Sequence, residues 1–357
     1  MTELLVGTKK GLFVLEGEPG SELAVKARAF AGEPVEYAMR DPHTGRLLAS
    51  VTSAFYGPKI WYADDPAGEW EQAAGVTLPE GGEAALERIW TLVAGEGDGD
   101  RVLYAGGDPG VLFESRDDGA SWELNRALWE DPSRPEWQPG GGGLCLHSIV
   151  PWPGDPDRLA MGISAAGVWL TEDGGGTWHR GNEGLVARYL PEESREGATT
   201  LCVHRLHRAP RRPERLFMQF HGGVYRSDDA GESWIDIGAG LPSDFGFPMA
   251  IDPADPDSAY VIPLAADMDR VTPDGRVRVY ETRDAGESWT ERGDGLPQEN
   301  AYLTVLRHGL DRRGEGSELE LYFGTTTGEV FGSGDAGASW FAAAKHLPPV
   351  YSVRATR

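Results

Sequence analysis

An all-β fold, a seven-bladed β-propeller of four-stranded antiparallel blades, is the class this sequence predicts, on three observations. An eight-residue pattern ending in tryptophan recurs along the chain at nearly constant spacing. Glycine and proline fill 49 and 25 of 357 positions, well above the roughly 12% of an average globular chain. They are spread along its length, as many short strands joined by tight turns require. The two ends of the chain each read as part of a blade that the other completes.

The pattern is Ser or Thr, any, Asp, any, Gly, any, Ser or Thr, Trp. It occupies residues 115–122 (SRDDGASW), 171–178 (TEDGGGTW), 227–234 (SDDAGESW), 282–289 (TRDAGESW) and 333–340 (SGDAGASW), with a degraded copy at 63–70 (ADDPAGEW). Successive tryptophans lie 52, 56, 56, 55 and 51 residues apart, a period that suits one four-stranded blade. In the fourth unit the strands fall at residues 148–152, 158–163, 167–171 and 177–179. The box is then the turn between third and fourth strands. Its Asp accepts hydrogen bonds from turn amides, its Gly takes a conformation closed to other residues, and its Trp packs between blades.

Residues 4–8, 11–16 and 22–27 supply three strands without a leading one, and the tail 350–355 (VYSVRA) supplies a lone leading strand. Joining them completes a seventh blade and removes free sheet edges. One propeller domain over residues 1–357 is therefore expected.

The formal charge is −24, from 33 basic and 57 acidic residues, which argues against nucleic acid or an anionic membrane surface as partner. No run of 18 apolar residues and no signal-peptide-like start occurs. The two cysteines, Cys145 and Cys202, suit a reducing compartment. A cytoplasmic location is the expectation.

Propeller sites sit at one mouth of the central channel, so the leading strands matter most. Aligned, they read 35–41 (VEYAMRD), 86–92 (LERIWTL), 146–152 (LHSIVPW), 203–209 (VHRLHRA), 247–252 (FPMAID), 302–307 (YLTVLR) and 350–355. Their second positions are Glu36, Glu87, His147, His204, Pro248, Leu303 and Tyr351, an arc of two carboxylates and two imidazoles over four consecutive blades. His221, in a second-to-third-strand loop (QFHGGVY), joins them on the same face. Imidazoles and carboxylates converging from separate strands can hold Zn, Mn, Fe or Cu. The expected divalent metal site is His147, His204 and His221, with Glu87 or Glu36 as ligand or general base. The competing reading is a ring of polar residues bonded to one another and to water.

Cys145 and Cys202 share faces with His147 and His204, so a Cys/His pair from each of two blades could also grip a soft metal, with small apolar filler as the leading reading. Two long connections flank the arc. Residues 129–143 carry Trp129, Trp137 and four glycines, and 186–200 carry Tyr189, Glu193 and Glu196; both suit the walls of a pocket for a sugar or an aromatic small molecule. Asp244, Asp267 and Asp269 are spare carboxylates on the rim.

The five intact boxes resemble the Asp-box, or BNR, repeat of sialidases, sortilin-type receptors, xyloglucanases and photosystem assembly propellers. The resemblance covers nearly the whole chain and implies the propeller fold. It also implies that the box is structural, on the face away from any active site. The sialidases it brings in use three arginines on the substrate carboxylate, a Tyr/Glu nucleophile pair and an Asp acid, on six blades with a Phe/Tyr-Arg-Ile-Pro start. The nearest match here is Glu87-Arg88-Ile89-Trp90, and Arg88 and Arg205 directly follow inward-facing positions, so an arginine triad does not assemble.

No nucleophile elbow, phosphate-binding loop or dinucleotide fingerprint occurs, so no nucleotide cofactor is expected. The leading expectation is an enzyme, a hydrolase, lyase or oxidase, acting on a small polar or sugar-like substrate. Glu87, Glu36 and Arg88 are the catalytic candidates, and Trp137, Tyr189, Glu193, Asp244 and Tyr351 the substrate contacts. The alternatives are a non-catalytic propeller binding a ligand or a protein, and a true glycoside hydrolase of exo-sialidase type.

Overall fold

The computed structural model describes all residues except 82–83, 97–100, 196–198 and 357. Among the described residues, strands pair into seven four-stranded antiparallel sheets, the blades of a propeller. Blade 1 is the closing blade. Val350–Thr356 pairs with Thr2–Thr8, followed by Gly11–Gly17 and Ala24–Ala29, and the closing register runs from Glu3 opposite Thr356 to Thr8 opposite Val350. The inner strands of blades 2 to 7 are Val35–Arg40, Arg88–Ala94, Cys145–Trp152, Val203–Arg208, Phe245–Ile251 and Leu310–Arg313.

The boxes close on themselves through side-chain bonds. Asp229 accepts from Ser227 Oγ (2.7 Å), from the Ser233 amide (2.9 Å) and from Ser233 Oγ (2.5 Å), while Ser227 Oγ accepts from the Gly231 amide. The same set recurs around Asp117, Asp173, Asp284 and Asp335. Hydroxyl and amide donors hold the Asp173 and Asp284 carboxyls down at about 2. In the degraded copy only the Ala67 amide donates to the Asp65 side chain, because no hydroxyl stands on either side.

Each box also staples its blade to the one before. Trp234 lies buried, its indole N–H donates to Gly181 O (2.9 Å), and its amide donates to Glu183 O (2.8 Å) in the preceding connection. Gly295 is required at the corresponding junction of blades 6 and 7: it has φ +79°, and any Cβ there would run into the Trp340 carbonyl. Between blades the core is continuous. Val168 and Leu170 of blade 4 pack on Val203, Leu206 and Met218 of blade 5, each such side chain worth about 1.5–3 kcal/mol when fully buried.

Two expected strands fall elsewhere. In blade 3 the inner strand begins at Arg88, leaving Glu87 outside it. In blade 7 residues 302–307 form no strand. Their backbone is bonded instead to the insertion from blade 6: the Thr272 amide donates to Leu303 O, the Ala301 amide to Gly275 O, and Thr304 Oγ1 to Arg270 O. No described helix is long and apolar enough to cross a membrane.

Candidate functional site

One irregularity repeats on the inner strands. Register with the second strand slips by one residue between Val35 and Tyr37, Ile89 and Thr91, Leu146 and Ser148, and Val203 and Arg205, leaving Glu36, Trp90, His147 and His204 without a partner. In blade 6 Phe247 and Pro248 are skipped between Gly246 and Met249, and in blade 1 Tyr351 is skipped. Blade 7 has a longer version. Thr304 O accepts from Thr326 N–H and Gly309 O from Gly324 N–H, so residues 305–308 bow out and carry Arg307 and His308. A bulge re-aims the extra side chain, and the same device recurs around the ring.

Several contacts cross the mouth. The Arg307 guanidinium lies 5.7 Å from the Trp90 ring centre and 4.8 Å from that of Phe247, joining blades 7, 3 and 6. Arg270, from the blade 6 insertion, shares the Phe247 ring at 5.4 Å and is tied to Asp267 (2.8 Å). Arg307 is different: among the described residues no carboxylate lies within ion-pair distance, and its buried Nε has no hydrogen-bond acceptor. Burial pushes its pKa down. The glycine loop lies against both cations, a Cβ at Gly142 falling 3.9 Å from Arg307 Nη1 and one at Gly141 3.8 Å from Arg270 Nη2. Across the mouth, buried Glu36 pairs with Arg88 Nε (3.3 Å), and Arg88 stacks on Trp90 at 4.7 Å. Burial raises the Glu36 and Tyr351 pKa values. Asp108, at the end of the strand beside Arg88, is pushed up to about 6, first by burial, against the Leu144 amide that bonds to it and with Glu87 adding repulsion.

A second group sits on blade 5. Cys202, His204 and His221 place one ligand atom each within 4.8 Å of one another. His204 Nδ1 donates to Gly246 O (2.6 Å), and His221 Nε2 lies 3.4 Å from Asp267. The Tyr189 hydroxyl donates to Thr200 O (2.6 Å) and accepts from the Cys202 amide (2.9 Å), and its ring meets His221 edge-on at 4.5 Å. Phe245 and Phe247 wall the imidazoles.

The expected arc is thus rearranged. His147 is not with His204 and His221 as a ligand: it is fully buried, with Nε2 at 2.7 Å from Val203 O and Nδ1 at 3.1 Å from Ser148 Oγ, a satisfied core histidine. Glu87 is exposed, and Trp90 takes its place in the ring because the bulge in blade 3 falls three residues later. Arg88 does reach the mouth. Trp137 is no pocket wall; it is buried against Trp169 at 4.9 Å, anchoring the glycine loop. Glu193 and Asp244 are exposed, with no hydrogen bond or ion pair among the described residues, and Glu196 lies outside the described residues. Tyr351 and Glu36 keep their expected places.

Sequence reasoning missed Arg307, Trp90, Phe247 and His308. His308 is buried and accepts from Arg205 Nη1 (2.7 Å), helping to plug the channel below the mouth. Trp90 and Arg307 both lie on expected leading strands, 86–92 and 302–307; a bulge in the first recovers Trp90, and nothing local set Arg307 apart from the other arginines.

No protein-family model matches the chain, and no curated protein matches it in sequence. Solved structures are similar in fold. An ancestral GH74 enzyme has a TM-score of 0.57 at 14% identity over 90% of this chain, which spans 38% of that one. YCF48 bound to D1 peptide has a TM-score of 0.52 at 13% identity, covering 90% of this chain and 84% of that one. The extracellular domain of a putative hybrid two-component system from B. thetaiotaomicron has a TM-score of 0.56 at 11% identity, covering 95% and 37%. These neighbours include one enzyme and one protein with a bound peptide, and at such identities they speak for the fold alone.

Proposed function

We propose that the protein binds a small carboxylate-bearing molecule, sugar-like or aromatic, at the channel mouth, with the boxes read as Asp-box repeats that only build the ring. The observation that carries this reading is Arg307, a guanidinium with no carboxylate within ion-pair distance among the described residues, in a chain that has 57 acidic residues and only 33 basic ones. A planar fork between two aromatic faces suits a carboxylate, which it can bind through two parallel bonds. The neighbouring Glu36 does not oppose this, because its charge is matched by Arg88. The loop at Gly141 and Gly142 passes beside both guanidinium groups without adding a side chain to the space around them.

Thermal-shift and calorimetric titrations of glucuronate beside glucose, and benzoate beside benzyl alcohol, test the reading. The acids are expected to bind and their neutral counterparts not. Losing a charge-assisted bond worth about 1.5–3 kcal/mol, Arg307→Gln is expected to weaken binding about 10- to 150-fold. Equal binding of the neutral molecules, or undiminished binding by the variant, would refute it.

One observation favours an enzymatic extension of the same site. Asp108, ionising near 6 at the mouth beside Arg88 and Glu87, is suited to general acid and base work at neutral pH. A hydrolytic activity on a uronate glycoside that disappears in Asp108→Asn while uronate binding persists would establish it.

A further inference from the structure

The Cys202, His204 and His221 group goes beyond the carboxylate reading and does not depend on it. We infer that these three side chains form a transition-metal site with a thiolate and two imidazole ligands, suited to Zn(II) or Cu(I). The expected set from sequence included His147, which is ruled out by its own hydrogen bonds; Cys202, read there as filler, takes its place.

Local chemistry prepares each ligand. His204 Nδ1 donates its proton to Gly246 O, so Nε2 carries the free lone pair; a backbone carbonyl in that role orients metal-bound imidazoles. Asp267 lies 3.4 Å from His221 Nε2, where its charge favours a proton on that nitrogen and so leaves Nδ1 to ligate. Arg270 holds Asp267 in turn. The Tyr189 hydroxyl fixes the Cys202 backbone, and Phe245 and Phe247 keep the surroundings apolar.

The donor set decides the metal. Thiolate with imidazole selects Zn or Cu(I) over Mn. In a tetrahedral site with bonds of roughly 2.0–2.3 Å the donors stand about 3.5 Å apart. The present spacing, within 4.8 Å, therefore closes by small side-chain rotations. On binding, the Cys202 thiol gives its proton to solvent and the sulfur lone pair forms the metal bond. The positive charge of Arg307, which favours the Cys202 thiolate, offsets part of the burial cost. Three protein ligands leave one position open toward the mouth, where water or an external ligand can enter.

The test is Co(II) titration of chelator-treated, reduced protein, read by sulfur-to-cobalt charge-transfer absorption in the near ultraviolet and by ligand-field bands in the visible. One Co(II) per chain with a charge-transfer band, displaced by Zn(II), is expected. Cys202→Ser should abolish that band and His221→Ala weaken binding at least 10-fold, while Cys145→Ser, whose thiol donates to Gly142 O, should leave both unchanged. His221 is only half-buried, so its variant remains informative if Cys202→Ser unfolds. No charge-transfer band in the wild type, a band that survives Cys202→Ser, or unaltered affinity in His221→Ala would overturn the site. Carboxylate binding by the metal-free protein, lost in Arg307→Gln, reports on the other reading separately.

Discussion

Replacing Arg307 by methionine is expected to make the protein more stable while abolishing the proposed carboxylate binding. The guanidinium is partly withdrawn from water, its Nε fully, with no counter-charge within ion-pair distance among the described residues, and an incompletely compensated ion of that kind costs up to several kcal/mol. Against this stand its contacts with Trp90 and Phe247, each worth about 0.5–1 kcal/mol. Because the side chain is half-buried rather than sealed, the net gain in Arg307→Met is about 1–2 kcal/mol. Methionine keeps most of the stem, so packing on the rings is largely retained. For 357 residues at about 2.1 cal/mol/K per residue the unfolding entropy is roughly 0.75 kcal/mol/K. The gain is then a rise in Tm of about 1.3–2.7 °C in scanning calorimetry. It should shrink at high salt, where repulsion from Arg270 is screened in the wild type. A fall of 2 °C or more would refute the reasoning, because it would make Arg307 a structural strut with satisfied bonds.

Deleting residues 350–357 removes the strand that closes blade 1 on Thr2–Thr8 and should abolish cooperative unfolding, as followed by circular dichroism; an unchanged transition would deny the closure. Gly295→Ala forces a side chain at φ +79° against the Trp340 carbonyl and should cost about 2–4 kcal/mol in denaturant titration, whereas Gly240→Ala, with open space around it, should lose only the conformational part. The Asp108 carboxyl, raised from 3.8 to about 6 in the folded protein, stabilises the fold in its protonated form. That contribution is complete below pH 4 and fades as pH rises through 6. Asp108→Asn should therefore match the wild type below pH 4 and gain on it above pH 6; a stability difference independent of pH would place the titration elsewhere.

Most of the architecture was readable in the chain because its signal is local. A box needs only eight residues: a hydroxyl, an Asp and a Gly satisfy one another within a single turn, as Ser227, Asp229 and Gly231 do, and repetition reveals the blade length. Closure followed from the same counting, since a lone strand at one end and three at the other leave two edges to pair. The mouth was read less well. Period-two alternation decides which residues face the axis only while register holds, and the inner strands of blades 1 to 6 slip at that level while blade 7 bows out before its inner strand. The slip was not expected; it falls at the aligned second positions Glu36, His147, His204 and Tyr351, but in blade 3 at Trp90 instead of Glu87.

What the sequence determined by itself is therefore the ring: period, boxes, closure and the sites of the long loops, each set by contacts between near neighbours in the chain. Only the tertiary structure decided which side chains meet at its centre. Arg307 reaches Trp90 and Phe247 because the blade 6 insertion draws residues 301–304 out of the sheet. Cys202 joins His204 and His221 while His147 turns into the core, because ligand-like geometry depends on which backbone carbonyl each imidazole finds, Gly246 for one and Val203 for the other.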